Sequence, residues 1–543
     1  MLPLMFSCIF RNSRTVRACC LLSLGPLLAI ATEAAEEASQ ISDRDKFKLA
    51  VKELRTGAGP RYQSLRRELN HYPLAVYLDA LVIEGNLHSG KPADVTAFLQ
   101  KAGTSPIAMR TLRSFVRHKI KDRRWGAVVE VTQDLILSTE LICHRAHALL
   151  MIGETAEATP LLNEVWTVGK SQIKACDPAF NTWYKTSGPS DDVIWNRALK
   201  AADARNSTLL RYLKRFASAE LKPSLDDLGK IYRRPDQVSL ETRGSLFRQR
   251  DIAQMGVKRL AKVNPKRALD AMQVLSKRFD FDATQQTVMN SLIVRHSLFA
   301  KSAAPLDWIT ARLAELREDE LTEIYLRSTI ADSDWPSFRA GYEWLSASRQ
   351  TSDEWRYWRV MAAAPGEAER SEAALSALAA GRGFHAYLAA EILALSPSLA
   401  RDEVVASRAA SNSDVVRVRE LIAVGMFWEA RSEFRAALHD PAVALSLAEL
   451  AAESEWHSLA IEAAAAAQAW DRVDLRFPVV YESEFVNASA ESGLDVEELF
   501  AVARRESAMA PDAVSEVGAR GLMQLMPSTA RLTARKHNYR YSR

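Results

Sequence analysis

The sequence predicts a mainly α-helical protein whose largest part is a solenoid of helical hairpins, and three observations carry that prediction. From about residue 40 to about 470, Ala, Leu, Glu and Arg dominate and alternating β-type runs are rare, which favours helix. Gly and Pro, at 21 and 20 in 543 residues, are too sparse for a turn-rich β protein. A loose theme recurs in which a bulky residue stands close to a small one: Trp125-Gly126-Ala127, Gly153 to Ala158, Gly425 to Ala430, and Trp456 to Ala460. Small residues let paired helices approach, and the bulky neighbour fills the gap to the next pair. The repeats are degenerate and follow no strict period.

The length exceeds what one core can organise, so several domains are expected. Pro365-Gly366, Pro397 and Arg476-Phe477-Pro478 are the linker signals. Pro478 disfavours helix at Phe477 and places the last boundary near 474. The formal net charge of +4 is mildly basic, compatible with an anionic polymer as partner. Without basic runs interleaved with aromatics, nucleic acid is not expected as a partner.

Residues 1–31 read as a secretory signal. Arg11, Arg14 and Arg17 precede an apolar run from Ala18 to Ala31, and Ala29-Ile30-Ala31 offers a small-residue cleavage site. The run is shorter than the ~20 residues a membrane span needs. Export to the periplasm is the expectation. Cys8, Cys19 and Cys20 leave with the signal, so Cys143 and Cys176 remain, either as a disulfide or as two buried thiols. Ten scattered His without metal-ligand spacing give no reason to expect a metal, and no cofactor is expected. Trp355, Trp358, Trp428 and Trp456 lie at helical spacing and are expected in cores rather than as a sugar-stacking set.

The chemistry points to Glu506. Asp495 stands as an N-cap with Glu498 at capping-box spacing, and Pro511 ends the following helix. Counting along that helix, Leu499, Val502, Ala503 and Glu506 share one stripe, so a carboxylate falls on an apolar face near a helix C-terminus. Burial and the negative end of the helix dipole both raise a carboxyl pKa, as a general acid requires. An ion pair with Arg504 or Arg505 is the structural alternative. Gly518 to Pro527, with two glycines and a lone Gln, suits a tight turn near a ligand, and Ser528 could cap the helix after it.

Glu506-Ser507 followed by Gly521-Leu522-Met523-Gln524-Leu525-Met526-Pro527 resembles the soluble lytic transglycosylase family. Tyr72-Pro73-Leu74, Asp353 to Trp358, Gly383 to Tyr387, Arg417 to Leu421 and Arg476-Phe477-Pro478 are similar to segments of its large periplasmic members. The resemblance implies a U-shaped superhelical ring (32–382), a helical linker domain (383–473) and a lysozyme-like transglycosylase domain (474–543). It further implies a Cys143–Cys176 disulfide, Glu506 as the single acid/base, and Ser507, Met523 and Gln524 as substrate-binding residues. The implied substrate is the peptidoglycan glycan strand, cut between N-acetylmuramic acid and N-acetylglucosamine to leave a 1,6-anhydro end, by a monomer open to wall-synthesis partners. Met509-Ala510 departs from the family pattern, where an aromatic and then Asn or Asp are usual. An Ala-Tyr-Asn-Ala-Gly-like segment of the family has no counterpart before Arg543. The last domain is therefore expected to be incomplete and poorly ordered, with a non-catalytic scaffold that binds peptidoglycan or a wall-synthesis protein as the alternative reading.

Overall fold

The computed structural model describes residues 42–239, 241–363, 368–398 and 409–542, so the signal segment and Pro365-Gly366 lie outside the described residues. Nearly everything described is helix. The recurring theme of the sequence resolves into one backbone device. After Ile120, Leu150, Ala202, Ile330, Ile422 and Ala452 the chain passes through a left-handed residue, respectively Arg123, Gly153, Arg205, Ser333, Gly425 and Glu455. The next amide bonds back five residues, as in Glu154 to the Leu149 carbonyl (2.9 Å), Met426 to Leu421 (2.9 Å) and Trp456 to Ala451 (2.8 Å). This double closure satisfies the last helical carbonyls and turns the chain straight into the partner helix. The pairs Thr139–Met151 with Thr155–Trp166 and Pro441–Glu453 with His457–Ala466 are the most extensive of these hairpins.

The stacked hairpins bury two long cores. One runs from Cys143 to Ala362 around Trp166, Trp183, Trp195 and Trp355. The other gathers Phe47 to Leu141 and ends on Leu421 and Ala430 of the linker, so the first helices of the chain pack on helices Ser413–Ala423 and Phe427–Ala436. Helix Thr139–Met151 belongs to both cores, and Cys143 within it is bonded to Cys176, with Cα atoms 4.9 Å apart. A small cluster of Tyr357, Leu375, Leu378, Ala389 and Ala390 joins helices Asp353–Met361, Ala368–Ala379 and Phe384–Ile392, running across the 382/383 boundary drawn from the sequence. Three of the four tryptophans singled out are in cores or against them, whereas Trp428 is exposed.

Polar contacts lock the seam where the first helices meet the linker. Arg44 grips Glu420 with two hydrogen bonds of 2.8 and 2.7 Å, and the Tyr72 hydroxyl donates to the same carboxylate at 2.7 Å. Glu433, nearly fully buried, accepts from the Tyr77 hydroxyl (2.7 Å) and from Arg417 (3.3 Å). Arg110 bridges Glu84 and Glu429. Burial, and then the Glu433 charge, hold the Tyr77 phenol far above its ordinary pKa, so it stays a donor.

Two outcomes follow from this packing. The Arg44 hydrogen bonds, opposed by burial and aided by Tyr72, hold the Glu420 carboxyl below its usual value. A carboxyl depressed on folding contributes fully above its unfolded pKa of about 4.3 and loses that contribution as pH falls through the folded value. Glu420→Gln should therefore flatten the acid side of the Tm-versus-pH curve below about pH 4; calorimetry giving parallel curves for variant and parent would refute it. Replacing Cys143 and Cys176 by Ser releases a loop with a sequence separation of 33 and should cost about 3 kcal/mol in denaturant titrations.

Candidate active site

Beyond the linker, helices Glu482–Ser492 and Val496–Ser507 pack through Phe485 and Phe500, whose ring centroids are 4.3 Å apart. Asp495 does hold the N-cap position, but its side chain makes no cap hydrogen bond, and the expected box with Glu498 does not form. Ile461 of the linker completes a core with Phe485, Ala503 and Met509.

Glu506 is the penultimate residue of its helix, and its side chain is exposed. The stripe read from the sequence exists, but only Ala503 on it is buried, Val502 being largely exposed, so the expected burial of the carboxylate is not found. The structural alternative for Glu506 is not found either: among the described residues it makes no ion pair. Arg504 is committed elsewhere, its Nε donating to the Arg476 carbonyl at 2.6 Å and its guanidinium lying over Phe477, 5.4 Å from the centroid. Burial, with the Arg476 charge adding, lowers the Arg504 pKa. Arg504 thus ties the helix to the linker, a role invisible to spacing because its partner is a backbone carbonyl of residue 476.

The chain leaves the helix by two successive left-handed residues, Ala508 (φ 50°) and Met509 (φ 63°). Neither is glycine, and each costs on the order of 1 kcal/mol. Burial of Met509 helps hold the arrangement: at 2% exposure it plugs the core beneath the turn, so it is not available as a sugar contact. Ser507 donates from Oγ to the Ala503 carbonyl (3.0 Å), bracing the last helical turn.

The Gly518–Pro527 segment is a compact double turn. Val514 and Arg520, then Arg520 and Leu525, pair as isolated antiparallel bridges. Gly521 (φ 73°) and Gln524 (φ 45°) are left-handed, and the Gln524 amide nitrogen donates to the carbonyls of Gly521 (2.9 Å) and Ala513 (3.3 Å). The lone Gln is therefore the clasp of its own turn. Leu522 and Met523 pack on the same core as Ala508 and Met509, which brings this turn against the end of the Glu506 helix. The helix after it starts at Pro527 with Met526 in the cap position, so Ser528 does not cap it; a proline at the first helical position needs no N–H partner. An apolar cavity of about 530 Å³ lies between Phe477, Pro478, Phe500, Ala501, Arg504 and Met509, on a neighbouring face of the helix rather than over Glu506.

The family described as Transglycosylase SLT domain matches residues 484–543, and the Soluble lytic murein transglycosylase L domain matches 408–473. A Cucumovirus coat protein family also matches 152–243, a stretch of helical hairpins that holds no residue of the Glu506 region. Soluble lytic murein transglycosylases of Salmonella typhimurium and Escherichia coli K12 are each 28% identical over 86% of this chain and 74% of their own length. The solved lytic transglycosylase Slt of Pseudomonas aeruginosa, in an inactive mutant form, superposes with a TM-score of 0.70 at 26% identity, covering 92% of this chain and 83% of that one. The 70-kDa soluble lytic transglycosylase of Escherichia coli shares the fold, with a TM-score of 0.69 and the same coverage at 24% identity. The resemblance read from Glu506-Ser507 and Gly521–Pro527 and the superhelical architecture it implied are borne out by these matches.

Removing the clasp tests the turn. Gln524→Leu should leave the Gly521 and Ala513 carbonyls with only their backbone donors, the Gln524 and Gly521 amides, at a cost of about 0.5–1.5 kcal/mol. Hydrogen exchange at the Gly521 and Leu525 amides should accelerate; protection equal to the parent chain's would contradict the assignment.

Proposed function

We propose that this relative of the soluble lytic transglycosylases cleaves the glycan strands of peptidoglycan between N-acetylmuramic acid and N-acetylglucosamine, with Glu506 as its single acid/base. One observation supports this above the others. Among the described residues the Glu506 carboxylate makes no ion pair, and it stands at a helix end that two left-handed residues and the Gly521–Gln524 turn hold in place.

In the proposed reaction Glu506 gives its proton to the glycosidic oxygen as the bond to the muramoyl anomeric carbon breaks. The muramoyl N-acetyl group supports the developing positive charge, in place of the second carboxylate of ordinary glycosidases. Glu506 then takes the proton of the muramoyl C6 hydroxyl while that oxygen attacks the anomeric carbon. The proton inventory closes, no water is consumed, and the product carries a 1,6-anhydro ring. Ser507 braces the helical turn beneath Glu506, and Met523 with Gln524 would line the glycan's path. Activity would follow export to the periplasm and cleavage of the signal; among the described residues no helix is long and apolar enough to cross a membrane.

Digestion of purified peptidoglycan, read by mass spectrometry, tests the proposal. Products should be one water lighter than reducing-end muropeptides, and Glu506→Gln should lower turnover by about 10²–10⁴-fold without lowering Tm. Products with ordinary reducing ends would make the chain a hydrolase, and full activity of the variant would displace Glu506.

A further inference from the structure

We propose that His88, His118 and Asp122 form a site for a first-row transition-metal dication, zinc being the reference case, remote in sequence and fold from Glu506. The residues come from two segments brought together by the first hairpins. His118 and Asp122 sit one turn apart at the C-terminal end of helix Pro106–Lys121, and His88 comes from the turn after helix Ala75–Gly85. Both imidazoles address the same carboxylate oxygen. His88 Nδ1 lies 3.0 Å from Asp122 Oδ2, and His118 Nε2 lies 3.3 Å from it. All three ligand atoms fall within 4.8 Å of one another. Metal–ligand bonds of about 2.0–2.1 Å in a tetrahedral shell place ligand atoms roughly 3.3 Å apart, so a small rotation of the exposed His88 ring closes the set.

Two features show that the arrangement is held rather than incidental. His118 Nε2 is buried and, among the described residues, makes no hydrogen bond of good geometry, its nearest polar contact being the Asp122 carboxylate oxygen at 3.3 Å. The backbone of His88 is also fixed: the buried Lys119 ammonium donates to its carbonyl at 3.0 Å, and the Gly90 amide bonds the Asn86 carbonyl at 2.7 Å. A Cβ on Gly90 would meet that Asn86 oxygen at 2.9 Å, so the turn that delivers His88 depends on glycine there. Two neutral imidazoles with one carboxylate suit zinc, nickel or copper rather than the all-oxygen shells of magnesium and calcium, and a fourth position stays open to water. Lys119 is the nearby cation, and its engagement with the carbonyl turns its charge away from the ligands. Bound metal would pin the 86–90 turn to the end of the helix. Sequence spacing did not reveal the set, because the helical pair is His–Asp and the third ligand lies thirty residues earlier.

Titration calorimetry of the full chain without a histidine tag, using zinc chloride alone, tests this. One site of roughly micromolar affinity is expected, with magnesium and calcium silent. His88→Ala and His118→Ala should each weaken it by about ten-fold or more. His71→Ala, at an exposed His71–Asp43 pair of similar distance, should leave it unchanged. Zinc should raise Tm in the parent chain and not in the two ligand variants. Absence of zinc uptake, uptake that survives both ligand variants, or equal loss in His71→Ala would each overturn the site.

Discussion

The structure depends on a closure made by two carboxylates of the linker. A solenoid of hairpins is quasi-one-dimensional: each pair contacts its neighbours, and nothing within the stack tells its two ends where to lie. Glu420 and Glu433 supply that information by accepting hydrogen bonds from Arg44, Tyr72 and Tyr77, more than 340 positions earlier in the chain. Burying Glu433 is expensive unless it is paired and hydrogen-bonded, and both conditions are met here. The same linker then passes the arrangement on. Ile461 completes the core beneath Glu506, and the Arg476 carbonyl receives Arg504 from the Glu506 helix.

Much of this was legible in the sequence, and the limits have physical causes. Helix content and hairpin stacking follow from composition and small-residue spacing, which are local properties. The sequence theme took Gly153 and Gly425 as small residues for close helix packing, whereas both are left-handed residues of turns. At Arg123, Arg205, Ser333 and Glu455 the same left-handed conformation carries an ordinary side chain, and so the repeat looked degenerate. Some of the segments that resembled a known family lie at seams: Tyr72 meets Glu420, and Arg476 meets Arg504.

At the candidate site the helix, its C-terminal end and the turn facing it were all foreseen. The burial of Glu506 was not, because a stripe on a helical wheel says which residues share a face and not whether anything covers it. Val502 remains largely exposed on that face. Conversely, Met509, where the family pattern usually has an aromatic residue, is a core residue with a positive φ. Gln524, read as a ligand contact, spends its amide nitrogen on its own turn, which leaves the carbonyl end of that amide for other work.

The hairpin turns carry a further consequence. Their geometry is set by amide-to-carbonyl bonds of the backbone, while the left-handed position is occupied in turn by Arg, Gly, Arg, Ser, Gly and Glu. The curvature of the stack is therefore written in a conformation that many side chains can adopt, and only the inward faces and the seam contacts demand particular residues. Such an architecture can drift far in sequence while keeping its shape, which is how chains sharing about a quarter of their residues superpose over 92% of this one and 83% of the solved ones.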